Sequence, residues 1–105
     1  MPQFDIHVNA NPASKAQYPY LVDVQSSLLE TLKTRLVVPL ILKTRFGDKT
    51  IKNLTPTLMV KDQEFLVLTP QLAAINKKQL GMVIDNCKAF RHEIVLPIDF
   101  LITGF

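Results

Sequence analysis

The chain is poor in the residues from which most catalytic and metal sites are built: among 105 residues it has one cysteine, two histidines and three glycines. A lone Cys87 cannot close an internal disulfide, which fits a reducing cytoplasm better than a secreted scaffold. His92 lies five positions further on, about 140° around a helix, so the two do not share a face as zinc ligands would. A core thiol and a surface histidine are expected, with no metal and no cofactor. Gly47, Gly81 and Gly104 stand singly and make no phosphate-cradling loop, and no serine sits in a nucleophile-elbow pattern. Asp62 and Glu64 form a carboxylate pair, but in a turn, where acids serve solubility. Kinase, dehydrogenase and hydrolase readings fall away, and the protein is expected to work by contact.

Long apolar runs are also missing. The longest, Leu36 to Leu42, is interrupted by Pro39 and falls far short of the roughly 20 residues needed to span a bilayer. The start, Met1-Pro2-Gln3-Phe4-Asp5-Ile6-His7-Val8, alternates like a strand and has no basic stretch leading into an apolar one, so no signal peptide is read there. A soluble, cytoplasmic protein with no membrane association is the expectation. Hydrophobic residues at 48% and charged residues at 20% give the balance of an ordinary folded globule, and the length suits one domain over residues 1–105.

The net charge of +3 is a weak argument for nucleic acid by itself. Lys33, Arg35, Lys43, Arg45, Lys49 and Lys52 stand against one acid, Asp48, in a segment that could face an acidic partner. A solvated basic loop around a turn at Phe46-Gly47-Asp48 is the plainer reading.

Periodicity supplies the elements. Phe4, Ile6 and Val8 alternate with Asp5 and His7, and Tyr20, Val22 and Val24 alternate with Leu21, Asp23 and Gln25, predicting two half-buried strands joined by a loop over Asn9 to Pro19. Leu36 to Leu42 reads as a strand covered on both faces, with Pro39 at a bulge or edge because proline cannot donate to a ladder. Thr57–Val60 and Phe65–Leu68 flank the polar stretch Lys61 to Glu64 as a hairpin, and a short strand follows near Leu72 to Ile75. After Asp85-Asn86, either a candidate cap, apolar residues at Cys87, Phe90, Ile94, Ile98 and Leu101 predict a helix over Lys88 to Ile102, about 22 Å long and kinked at Pro97. The fold class is therefore α+β: a small, bent antiparallel sheet or barrel of five or more strands, closed by one C-terminal helix.

The helix carries the strongest functional signal, because it runs out through Phe100, Leu101 and Ile102 to Phe105. Chain ends are usually polar, so an apolar end needs to dock on its own fold, a sister subunit or a target.

Taken together, Gln3-Phe4, the run Tyr20-Leu21-Val22-Asp23-Val24-Gln25-Ser26, then Arg35-Leu36-Val37-Val38-Pro39-Leu40, Pro56 and the terminal Gly104 resemble CcdB, the toxin family of CcdA/CcdB toxin-antitoxin pairs. The similarity runs over essentially the whole chain in one register, with a few extra residues in the Asn9 to Pro19 loop. It implies a bent β structure with a C-terminal helix and a two-fold homodimer in which the helix ends lie side by side as one apolar pad. It also implies a non-enzymatic poison of DNA gyrase, inserted between the parted arms of the dimeric GyrA subunit so that the enzyme is trapped on cleaved DNA, with roles in plasmid maintenance. Carried across by position, the gyrase contacts fall on Leu28, Leu29, Asp99, Thr103, Gly104 and Phe105. Leu28 and Leu29 read from sequence alone as core cover, and Gly104 as a helix C-cap.

The resemblance implies a second partner, a CcdA-like antitoxin whose disordered acidic arm folds onto the toxin. Lys43, Arg45 and Phe65, the last taken as an exposed aromatic, are the residues expected to meet it. Operator DNA, and hence transcription regulation, is reached only through the complex, the antitoxin reading the DNA. One departure stands out: the best-known family member has a tryptophan two residues from its end, stacked on an arginine of gyrase, where this chain has Thr103. A lost aromatic anchor weakens an interface, which leaves open compensation by Phe105, weaker binding, or a toxin-derived module without gyrase binding. MazF-like toxins, which share the fold family, are endoribonucleases. They normally carry an Arg-Gly-Asp type element near the first strand, whereas this chain has no glycine before Gly47.

Overall fold

The computed structural model describes residues 2–47 and 54–104. Seven strands, β1 (Asp5–Asn9), β2 (Tyr20–Asp23), β3 (Thr34–Leu42), β4 (Thr57–Val60), β5 (Gln63–Val67), β6 (Ala73–Asn76) and β7 (Leu80–Asn86), form one sheet. It is accompanied by a single-turn helix, α1 (Lys43–Phe46), and a C-terminal helix, α2 (Arg91–Thr103). The strand order is β4-β5-β3-β2-β1-β7, with β6 also on β3, and every pairing is antiparallel. The sheet curls into a half-barrel beside helix α2, the α+β architecture the pattern predicts.

Pro39 sits at neither an edge nor a bulge. One side of β3 pairs with β2 over Val37 to Leu40, while on the other side β6 pairs with Thr34 to Val37 and β5 with Leu40 to Leu42. Pro39 falls where the partner changes. Its carbonyl accepts from Leu68 N at 3.0 Å, so the missing N–H points into the gap between β6 and β5, where no ladder bond is forfeited.

The connection between β4 and β5 narrows to Lys61 and Asp62, both with positive φ (50° and 64°), as a two-residue I′ hairpin requires. Strand β7 is not apparent in the sequence pattern. Its pairing with β1 is broken by two register shifts, and at Gly81 an added Cβ would lie 2.8 Å from Val8 O. The glycine marks a close backbone approach, which removes the regular alternation a strand would display.

The polar faces of β1 and β2 differ from the half-buried expectation: Asp5, His7, Asn9, Asp23 and Gln25 are all buried. Each has a partner. His7 Nδ1 lies 3.1 Å from the Gly81 carbonyl, Asn86 Nδ2 donates to Asp5 Oδ1 at 2.8 Å, and Asn9 Nδ2 donates to the Tyr18 carbonyl at 2.9 Å. Burial is compatible with polarity because these bonds replace water. On the opposite face Phe4, Ile6, Val22, Val38, Leu40 and Val67 form the main core with Cys87 and Ile94.

The helix begins three residues later than the spacing predicts. Lys88–Phe90 form a 3₁₀ turn with Cys87 at its N-cap, and Asn86, one residue earlier, accepts from Lys88 N through Oδ1 at 2.8 Å. Helix α2 continues through Pro97, which is buried together with Ile94. Gly104, with φ of 78°, closes it through a 2.8 Å bond from its N–H to Phe100 O, the C-cap geometry that glycine adopts at least cost.

Candidate functional site

Two exposed patches contain the residues singled out by sequence. The first is the turn after β2, where a 3₁₀ turn over Ser27–Leu29 presents Leu28 at 92% and Leu29 at 48% exposure. Neither leucine is core cover. The turn starts on Ser26, whose Oγ accepts from Leu28 N at 3.2 Å, and it is braced by Gln3, whose N–H donates to Ser27 Oγ at 3.3 Å and whose Nε2 donates to Val24 O at 3.0 Å.

Beneath it lies a polar cluster that sequence reading missed. Arg35 and Asp23, both at 0% side-chain exposure, pair through Nε to Oδ2 at 2.8 Å and Nη2 to Oδ1 at 3.0 Å. Asp23 Oδ1 also accepts from Gln25 N at 3.0 Å, and Nη2 reaches Gln25 O at 3.4 Å. Arg35 therefore leaves the basic surface to which its neighbours Lys33 and Lys43 assigned it. The signal available was its place at the head of the apolar run Leu36 to Leu42, where an arginine must be either exposed or paired.

The second patch is the end of α2, where Asp99, Leu101, Ile102, Thr103 and Gly104 are exposed, Ile102 to 72%. The Thr103 hydroxyl folds back to donate to Asp99 O at 2.7 Å. It bonds back onto the preceding turn of its own helix at the position expected to carry an aromatic anchor. Phe105 lies outside the described residues. Within one chain the patches are not gathered into one pocket: Ser27, Gln3, Phe4, Asn86, Lys88 and Arg91 line an open cavity of about 500 Å³ at the start of the helix, and the tip is about 18 Å further along α2.

The residues expected to meet an acidic arm fare unevenly. Lys43 and Arg45 lie exposed on α1, but Lys43 Nζ is 3.2 Å from Glu64 Oε2, and Arg45 Nη1 donates to Ala16 O at 2.9 Å. The groove of about 640 Å³ beside them is lined by Lys43 together with Asp62 and Glu64, so it is not uniformly basic. Asp48, Lys49 and Lys52 lie outside the described residues.

Phe65 corrects an expectation. It is not an exposed aromatic but 2% exposed, its ring edge-on to Tyr20 at 5.3 Å. In register it faces Leu58 on β4 and Leu42 on β3, so the strand alternation turns it into the core. Met59, 57% exposed on β4, is the apolar residue this hairpin offers to solvent.

Cys87 is the core thiol expected. It is buried, its Sγ lies 3.3 Å from Phe4 O, and desolvation pushes the thiol up to about 11, so it is protonated and inert at neutral pH. His92 is exposed. Among the described residues no three His, Cys, Asp or Glu side chains are grouped to hold a metal ion, and no helix is long and apolar enough to cross a membrane.

The arrangement offers apolar contact on two hydrogen-bonded supports, the turn after β2 and the end of α2. Compared with known protein families, the chain matches the model of the CcdB protein over residues 3–104.

Proposed function

Because this chain belongs to the CcdB family of toxin-antitoxin toxins, we propose that it poisons DNA gyrase by non-covalent contact with GyrA, holding the enzyme on cleaved DNA, and that a CcdA-like antitoxin neutralises it. The observation that carries this reading is the exposure of Leu28, Leu29, Leu101 and Ile102 on two braced supports, the turn after β2 and the capped end of α2. A monomer leaves these groups in water, whereas a two-fold dimer would set the two helix ends together and double the apolar area offered to a target.

Leu28, Leu29, Asp99, Thr103, Gly104 and Phe105 are assigned to the gyrase contact. Lys43 and Arg45 are assigned to the antitoxin, where each must exchange its present partner for an acidic side chain of the arm. Phe65, as a core residue, supports that hairpin from within. Operator DNA is engaged through the antitoxin complex, and the protein works in the cytoplasm, where both gyrase and the antitoxin are met.

The test is inhibition of supercoiling by purified protein at micromolar concentration, with Thr103→Trp alongside. Inhibition by the unmodified chain, increased by the aromatic, supports docking of the tip. Unchanged supercoiling with both proteins would sink the reading, and cleavage of RNA instead would reassign the fold to a ribonuclease.

A further inference from the structure

Exposure of a large apolar side chain is useful for binding only if its backbone is held, since a loose loop spends binding energy on ordering itself. Leu28 is almost entirely exposed, yet the turn that carries it is tied at both ends to buried groups. Gln25, 7% exposed, makes the link. Its Oε1 accepts from Leu36 N at 3.0 Å, which fixes the orientation of the amide and leaves Nε2 to donate to Leu29 O, also at 3.0 Å. The same residue's N–H is held by Asp23 Oδ1, and Asp23 is held in turn by Arg35. Just beyond the turn, Lys77 Nζ donates to the Glu30 carbonyl.

The geometry points to Gln25 as a positioning residue: it is the clasp through which the buried Asp23–Arg35 pair preorganises the Leu28–Leu29 knob for docking. This rests on the gyrase reading above, which supplies the partner that the knob meets. The clasp makes no contact with the target. Its effect passes through the leucines, because the group it holds on the outer side is the Leu29 carbonyl. A strand-pairing role alone would need only the Oε1 bond to Leu36; the Nε2 bond to Leu29 adds nothing to the sheet.

Gln25→Glu separates the two roles, since it keeps an oxygen for Leu36 N and replaces the donor facing Leu29 with another oxygen. Affinity for purified GyrA is measured for the unmodified chain, Gln25→Glu, Leu28→Ala and the double variant, with thermal midpoints recorded for each. Loss of one such hydrogen bond predicts weakening of about five- to tenfold for Gln25→Glu when Leu28 is present. The loss should shrink to under about twofold in the Leu28→Ala background, because the clasp then positions only the less exposed Leu29. Equal losses in both backgrounds would overturn the clasp while leaving the gyrase reading intact. Failure of the unmodified chain to bind GyrA would overturn both. Should Gln25→Glu not fold, Ser26→Ala, which removes the cap on Leu28 N, goes through the same cycle: a loss that depends on Leu28 supports the held knob, and a loss independent of Leu28 overturns it.

Discussion

Replacing Arg35 by methionine should be the most damaging single change of a charged residue in this chain. The substitution keeps the length of the side chain and removes the guanidinium, leaving the Asp23 carboxylate at 0% exposure without the two bonds of 2.8 and 3.0 Å that now neutralise it. Breaking a buried pair from one side costs about 3–5 kcal/mol, because a charge stays in a medium that cannot solvate it. For a domain with a total stability of about 5–15 kcal/mol, that is a large share. At about 4–8 °C per kcal/mol, the thermal midpoint should fall by roughly 12–40 °C. Calorimetry or circular dichroism melts of the two proteins at neutral pH read this directly. The companion Asp23→Leu/Arg35→Met, which removes both charges, should be more stable than Arg35→Met alone, though below the original because Gln25 N loses its acceptor. A loss under about 1 kcal/mol for Arg35→Met, the range of an exposed pair, would refute the buried clamp.

Other changes test other parts of the fold. Gly81→Ala sets a methyl 2.8 Å from Val8 O, a backbone atom that cannot swing aside, so a loss of about 1–3 kcal/mol in chemical denaturation is expected; an unchanged midpoint would mean that β7 does not approach β1 so closely. Phe65→Ala should cost about 3–5 kcal/mol by emptying a core site, whereas Met59→Ala on the solvent face of the same hairpin should stay within about 0.5 kcal/mol. Near-equal small effects would return Phe65 to the surface. Cys87 titrates at about 11 in the fold against 9.0 as the ordinary value. The native state therefore holds its proton more tightly, and the thiol's contribution is complete below about pH 9 and fades as pH rises through about 11. Cys87→Ala should flatten that part of the stability profile, and identical profiles would contradict the burial of the thiol.

Much of the architecture was legible because apolar alternation is local. Strands β1, β2 and β4 and the hairpin before β5 each show it within a few residues, and the spacing of Ile94 and Ile98 gives α2. Strand β7 was hidden because Gly81 and the register shifts against β1 break its alternation, and because Asp85-Asn86 also reads as a cap. The buried polar faces were hidden for a different reason: His7 finds its partner 74 residues away at Gly81, and Asp5 finds Asn86 81 residues away. Local pattern marks such residues as polar and hence outward. Phe65 shows the same limit, since alternation tells that a strand has two faces while the packing of Leu42 and Leu58 decides which is inside. At the candidate site, the apolar end of α2 was legible from composition alone. The exposure of Leu28 was not, because adjacent leucines after a strand ordinarily cover a core, and only the resemblance pointed outward.

Gyrase poisoning is tested most directly by a cleavage assay on supercoiled and relaxed DNA, with the full chain compared against one ending before Thr103. Linear DNA should accumulate with the full chain and not with the shortened one, at equal folded concentration. Linear DNA absent from both, or equal in both, would contradict the claim that this toxin traps gyrase through the end of its helix.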